Sequence, residues 1–406
     1  MSTRQGDGNI GVRRAGAAQG LTLAIAGFLP VLSILSLAPA VPSLMRHFAD
    51  IPFATTLVPL MVTAPGLMVA LLAPFAGMLV DRYGRRRLIL IATFCYGFAG
   101  IAPFFFDHLP MMFATRLMVG AAEGLILIIV NALFADYFTV RERRTWITVQ
   151  GVSGPILGTG SIALAGALTA LYWNGAFLIY AAALLIFAVM VFVLYEPRSA
   201  TASLAGEAPA PATPFPTRTV LSFCAATLFA SVLYYVFIVQ SGLAFEATGE
   251  ASSARLGFLI GICSLGTPIG ALLFNLLSRR VGGDRLIVSF LAFMGVGMVG
   301  MGLARNVEMM AVFGFIQQIG AGITVAGLIF WVSRLLPPEH RGRGFGMWTC
   351  AFFAGQFVSP VVVGLVRHVT GGILPTFVAM GCVALTGAVA LLIGGKMLPR
   401  PIDSDG

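Results

Sequence analysis

The feature that most restricts this chain is the recurrence of apolar runs about twenty residues long. They fall at 19–44, 53–76, 88–106, 110–134, 146–171, 174–195, 219–243, 256–278, 286–304, 309–333, 344–367 and 374–395. A helix of about 20 apolar residues crosses the hydrocarbon core of a bilayer. Within lipid each backbone N–H and C=O must be satisfied inside its own segment, which leaves the helix as the form such runs take. The expected fold is therefore all-α and integral to a membrane, with twelve transmembrane helices in two six-helix, pseudo-symmetric halves. Composition agrees, because 58% of the 406 residues are hydrophobic and only 10% are charged. A soluble fold would leave far too much of that surface in water.

The gaps between runs alternate in charge. Arg46, Arg255, Arg305 and Arg367 lie on one side of the expected bundle. All the other basic residues lie on the opposite side, except Arg116, which sits within a run. Lys and Arg are retained on the cytoplasmic side, so both termini are expected there. The same clustering at helix ends accounts for the net charge of +9 without a nucleic-acid-binding stripe. The first run exceeds signal-peptide length and lacks a cleavage site, and reads as a retained helix. Glu196 to Arg218 is rich in Pro, Ser and Ala and cannot bury a core. This divides the chain into a cytoplasmic tail (1–18), a first half (19–195), a linker (196–218), a second half (219–395) and a second tail (396–406). A shift of 198 residues sets Asp81-Arg82-Tyr83-Gly84 on Arg279-Arg280-Val281-Gly282 and Arg143 on Arg341, a weak internal repeat. The five cysteines fall in separate runs, with no metal or disulfide pattern.

The densest charge cluster is Gly77-Met78-Leu79-Val80-Asp81-Arg82-Tyr83-Gly84-Arg85-Arg86-Arg87, between the second and third runs. It resembles the signature loop of the major facilitator superfamily, G-x-x-x-D-R-x-G-R-R. The resemblance implies a gating latch built from Gly77, Asp81, Arg82, Gly84, Arg85 and Arg86. Asp81 would lie against the start of the eleventh helix, and the arginines would reach Asp136 or Glu142. It also implies a bacterial-type inner membrane as the location.

Among the acidic residues Glu123 alone lies deep in an apolar run. Arg116 precedes it by seven residues, two turns along one helix face. A buried charge costs about 2.5–3.5 kcal/mol on insertion scales and by default marks function. The segment Arg116-Leu117-Met118-Val119-Gly120 resembles the superfamily's fourth-helix pattern, which in proton-coupled members is associated with proton transfer. Arg116 and Glu123 are therefore the expected proton-coupling pair, Glu123 taking up and releasing a proton while facing alternate sides and Arg116 favouring its ionised form in one state only. The alternative is a static anchor between helices.

In the fifth run Gly151, Gly154, Pro155 and Gly158 form a stretch expected to kink and to admit a neighbouring helix. It resembles the antiporter motif of the superfamily's drug-efflux branches, in part only, because Thr159 stands at the final glycine of its core. Asn131, Tyr234, Tyr235, Gln317, Gln318, Trp348 and Gln356 are candidates for an amphipathic substrate pocket, with Gln240, Asn275 and Trp331 as further polar and aromatic candidates.

The chain is thus expected to be a secondary transporter and not an enzyme. Its four histidines are scattered, no catalytic cluster exists, and no phosphate-binding G-x-x-x-x-G-K-[ST] occurs. No cofactor is expected beyond a proton gradient. Its partners would be a small-molecule substrate, protons and the lipid bilayer, with no nucleic acid, and it would act as a monomer. The expected activity is proton-coupled efflux of small amphipathic drugs or metabolites. The alternative is a symporter or uniporter importing a sugar, organic acid or amino acid.

Overall fold

The computed structural model describes residues 15–197, 215–278, 283–337 and 340–394. The expected tails, the body of the linker and the repeat loop around Arg279-Arg280 lie wholly or largely outside them. The described residues are almost entirely helical, with no strand, and hold twelve helical spans long and apolar enough to cross a membrane. Most span ends fall within a few residues of those read from the runs.

The first span, Ala17–His47, departs from the expectation of one continuous helix. It consists of Ala17–Ala26, Leu29–Leu35, a 3-10 turn at Ala38–Ala40, and Val41–His47. Each of the last three pieces carries a proline in its first turn, Pro30, Pro39 and Pro42. Proline fits a first turn, where its missing N–H would have no helical partner, and it breaks whatever helix precedes it. The eighth span breaks in the same way at Leu265, three residues before Pro268.

The expected repeat is visible in element lengths. The fourth span (Leu109–Tyr137) and the tenth (Val307–Leu335) each have 29 residues, and their starts differ by 198. Each packs between two neighbours of its own half: the fourth against the second (Ala54–Tyr83) and third (Arg85–Ile101), the tenth against the eighth and the ninth (Gly283–Gly302).

The halves meet along three seams. The second span touches the eleventh (Arg341–Thr370) through Thr56 against Gly364 and Gly66 against Phe353 and Gln356. Deeper in that seam, Cys350 Sγ donates to Ala70 O at 3.2 Å. The fifth span (Val140–Leu171) crosses the eighth at Gly166 and Gly257, where a methyl on either glycine would strike backbone of the other helix. The first span meets the seventh (Thr217–Ala247) at Pro42 and Gly242, and an Arg46–Glu246 ion pair closes their ends. All three seams run inward from the arginine-poor end of the bundle.

The fifth span departs from the expected close approach at Gly151, Gly154 and Pro155. Gly151 and Gly154 face open space, since a side chain there would meet nothing, and Pro155 sits inside an unbroken helix. Gly158 approaches only Leu35 and Phe28 of its own half. Close helix contact occurs instead at Gly166. Towards the arginine-rich end this helix has left the eighth span, so Gly151 and Gly154 admit no neighbour and Gly158 admits only the first span.

Candidate functional site

Arg116 and Glu123 both lie on the fourth span and are fully buried, at 0% and 1% exposure. No ion pair joins them in this conformation, so neither the static ion pair nor direct charge neutralisation is what holds Glu123 here. Seven residues put them about 10.5 Å apart along the axis, and each is engaged by different neighbours. Arg116 Nη2 donates to Ala99 O at 3.1 Å and to Gly100 O at 2.9 Å. These carbonyls belong to the last turn of the third span, and the residue four after Ala99 is Pro103, which has no N–H to offer. Arg116 therefore supplies the donors that the helix end lacks, and places its positive charge at the negative end of that helix. Its guanidinium lies over the rings of Phe177 and Tyr180, at 5.0 and 4.7 Å, a favourable cation–π setting.

Glu123 turns towards the broken first span. Ser33 Oγ donates to Glu123 Oε2 at 2.8 Å and lies 3.0 Å from Pro30 O. Two more hydroxyls hold this piece of backbone. Tyr180 donates to Ser33 O at 2.7 Å and Tyr96 to Leu29 O at 2.5 Å. The tyrosine rings pack together with centroids 5.3 Å apart. Ser33, Tyr96 and Tyr180 were not singled out from sequence. The signal available was the proline spacing of the first run, because a proline-interrupted span is where transporter sites gather.

This arrangement accommodates both protonation states of Glu123. When the carboxylate is ionised, the Ser33 hydroxyl donates to it. When it is protonated, its own O–H can donate to Ser33 Oγ while the serine proton turns to Pro30 O. The Ser33 rotor thus offers each state a complete hydrogen bond, which a buried polar group needs.

Gly84 has φ +81° and links the second and third helices, a conformation that favours glycine. Arg85 pairs with Asp136 at the end of the fourth span. Arg86 Nε donates to Leu194 O at 2.7 Å and Nη2 to Val191 O at 2.8 Å. Arg82 lies beside the Tyr83 ring. The side chain of Asp81 and the surroundings of Gly77 lie outside the described residues. Glu142 caps the fifth helix through Thr139.

The pocket candidates separate into groups. Tyr234, Tyr235, Phe352 and Trp348 form one aromatic cluster with centroid separations of 5.0–5.6 Å. Phe352 was missed from sequence. Gln356 lies in the seam against Gly66, with its amide nitrogen unpartnered. Gln318 accepts from Thr267 at 3.0 Å, and Gln317 is wedged against Gly297 with both amide atoms unpartnered. These two glutamines serve contacts inside the second half. Asn131 is exposed and donates back to Leu127 O.

The sequence profile of the Major Facilitator Superfamily matches residues 23–254 and 244–404. The chain therefore belongs to that superfamily, and is a multi-pass membrane transporter and not an enzyme. It is 23% identical over 372 residues to a triacylglyceride transporter of Mycobacteroides abscessus, covering 72% of this chain and 70% of that one. It is 26% identical over 367 residues to the enterobactin exporter EntS of Shigella flexneri, covering 84% and 83%. A bacterial homologue of the human lysosomal transporter Spinster, in an inward-facing and occupied conformation, superposes with a TM-score of 0.74 at 14% identity, covering 93% and 96%. At that identity the likeness speaks for the fold.

Proposed function

We propose that this chain is a proton-coupled exporter of small amphipathic molecules, with its arginine-rich end in the cytoplasm, and that the conformation described is inward-facing. The observation that carries the proposal is the Glu123–Ser33 contact. A single carboxylate deep in the bundle is held by a rotor that suits both of its protonation states, on a broken helix that also reaches the seam with the second half. Opening the seams at the arginine-poor end requires the pieces of the first span to move against the seventh. Such a movement changes what Glu123 meets and couples its proton to the exchange of access.

Export is supported by the relationship to an enterobactin exporter. An amphipathic cargo is supported by the uncharged aromatic cluster of Tyr234, Tyr235, Trp348 and Phe352 beside the buried amide of Gln356. Arg85, Arg86 and Asp136 would act as the hinge clamp of the first half, and Arg116 would fix the third helix against the fourth.

The test is substrate-induced proton movement in proteoliposomes containing a pH dye, with amphipathic drugs and small metabolites offered to native protein and to Glu123→Gln. Proton movement opposite to substrate, abolished by the substitution, is the expected result. Substrate moving in the same direction as protons would replace export with import. Full coupling in Glu123→Gln would remove Glu123 from the mechanism.

A further inference from the structure

A groove of about 960 Å³ lies at the arginine-rich end of the first half, between the third span and the sixth (Gly175–Val193). Ile91, Phe94, Phe187 and Phe192 form its apolar walls, and Ile91 and Phe94 are about half exposed while Phe192 is almost fully so. Arg86, Arg87 and Glu196 stand at its polar end. It is separate from the Glu123 network, which faces the first span.

The charges at the polar end are unequally engaged. Glu196 accepts from the backbone N–H groups of Arg85 at 2.7 Å and Arg86 at 2.9 Å, so its carboxylate caps the third helix and its charge is offset by that helix's N-terminus. Arg86 spends Nε and Nη2 on the carbonyls that end the sixth span. Carbonyls satisfy hydrogen bonds but do not cancel a full charge. Arg87 is exposed and has no hydrogen bond or ion pair among the described residues. The groove therefore joins an apolar trough to a surplus of positive charge at membrane-interface depth. Basic pockets between transmembrane helices take anionic lipid headgroups.

The second half supplies an internal contrast. Its groove of about 310 Å³ among the seventh, ninth, tenth and twelfth (Ile373–Gly394) spans is lined by Phe229, Ile287, Phe290, Leu391 and similar residues, with no charged side chain. Arg285 occupies the place of Arg87 under the 198-residue shift, is exposed, and does not line that groove.

We infer that the groove between the third and sixth spans is a binding site for an anionic glycerophospholipid of the surrounding bilayer, its acyl chain lying along Ile91, Phe94 and Phe192 and its phosphate on Arg87 and Arg86. This site is independent of the transport reading, because it requires neither a cargo nor a coupling ion.

The experiment is native mass spectrometry of the full-length protein in detergent, titrated with phosphatidylglycerol or with phosphatidylcholine of the same acyl chains. The native protein should retain phosphatidylglycerol preferentially. Arg87→Gln should lower that retention roughly fivefold, the scale of one basic residue's attraction to an anionic headgroup, while Arg285→Gln leaves it unchanged. Ile91→Trp, which fills the trough, should lower retention of both lipids. Equal retention of the two lipids, equal loss in both arginine variants, or undiminished retention in Ile91→Trp would each overturn the assignment. Retention of neither lipid by the native protein would also overturn it. Each variant alters an exposed side chain, and an unchanged melting temperature confirms that it is folded.

Discussion

The fourth and tenth spans are two copies of one helix, equal in length and equivalent in their neighbours, and they carry opposite chemistry. The 198-residue shift sets Gly314 at the place of Arg116 and Ala321 at the place of Glu123. The fourth span buries both charges; the tenth buries the amides of Gln317 and Gln318. Burying the charges costs about 2.5–3.5 kcal/mol each, and the first half offsets that cost with the carbonyls of Ala99 and Gly100, the rings of Phe177 and Tyr180, and the hydroxyl of Ser33. The second half has no such cost to meet and presents an uncharged aromatic cluster instead. The duplicated backbone therefore does not duplicate function. One half is built to hold a charge and the other to meet apolar and weakly polar surface.

The largest effect should come from removing what holds the charge. Arg116→Ala leaves the carbonyls of Ala99 and Gly100 without their donor and the rings of Phe177 and Tyr180 without the cation over them. It should cost about 2–6 kcal/mol, because two buried carbonyls are left unsatisfied at about 1–3 kcal/mol each. Gly314→Ala, the change at the equivalent place, sets a methyl 3.0 Å from Cys263 Sγ and Phe237 Cε2 and should cost about 1 kcal/mol, within the range for mild overpacking. Melting followed by size-exclusion chromatography distinguishes the two. Equal losses would mean that Arg116 is no more of a keystone than its uncharged counterpart.

A substitution at the rotor should leave the fold and damage the coupling. Ser33→Ala removes one hydrogen bond, worth about 1 kcal/mol, and leaves Glu123 with no side-chain hydrogen bond among the described residues. Substrate counterflow should persist while the proton signal in the same vesicles falls. If both survive intact, the Glu123–Ser33 contact is packing alone.

How much of this was legible beforehand differs between backbone and site. Lipid permits so few backbone forms that run length alone specified twelve helices. The depth of Glu123 and Arg116 was legible for the same reason, since charge within an apolar run is conspicuous. Their partners were not. Arg116 caps a helix end because Pro103 cannot donate to Ala99, a relation between two helices that spacing within one helix cannot disclose. Ser33, Tyr96 and Tyr180 are ordinary residues in their own runs and gain meaning only when the first, third, fourth and sixth spans converge. The glycines of the fifth span mislead in the opposite direction. Gly151 and Gly154 match a packing pattern, yet the helix that would approach them is elsewhere in this conformation, and the contact is made at Gly166.

On the tenth span the expected sign reverses. Both amide atoms of Gln317 are buried without a partner, a burden of about 1–3 kcal/mol per unsatisfied group. Gln317→Leu keeps the volume and removes both groups, so the melting temperature should stay level or rise. If transport falls while stability rises, Gln317 is held ready for a partner that it meets in another conformation. If stability falls, the amide has a role in this conformation that its contacts do not reveal.

The smallest expected effect lies where the two halves touch at equivalent places. Arg46 and Glu246 are 200 residues apart, and end the first and seventh spans, which start at 17 and 217. Each half thus contributes the opposite charge near the end of its own first span. The pair is partly exposed, with side-chain exposures of 54% and 31%, and an exposed pair contributes about 0–1 kcal/mol and weakens with salt. Arg46→Gln and Glu246→Gln should each lower the melting temperature slightly, and the reversed pair, Arg46→Glu with Glu246→Arg, should recover most of the loss at low salt. The conformational balance should be more sensitive than the stability, because the pair bridges the two halves at this end. A cysteine probe near Thr56 should become more accessible in either single variant and less so in the reversal. If accessibility does not follow the charges through this cycle, closure at this end belongs to the glycine and proline contacts of the three seams, and the asymmetry between the halves stops at the fourth and tenth spans.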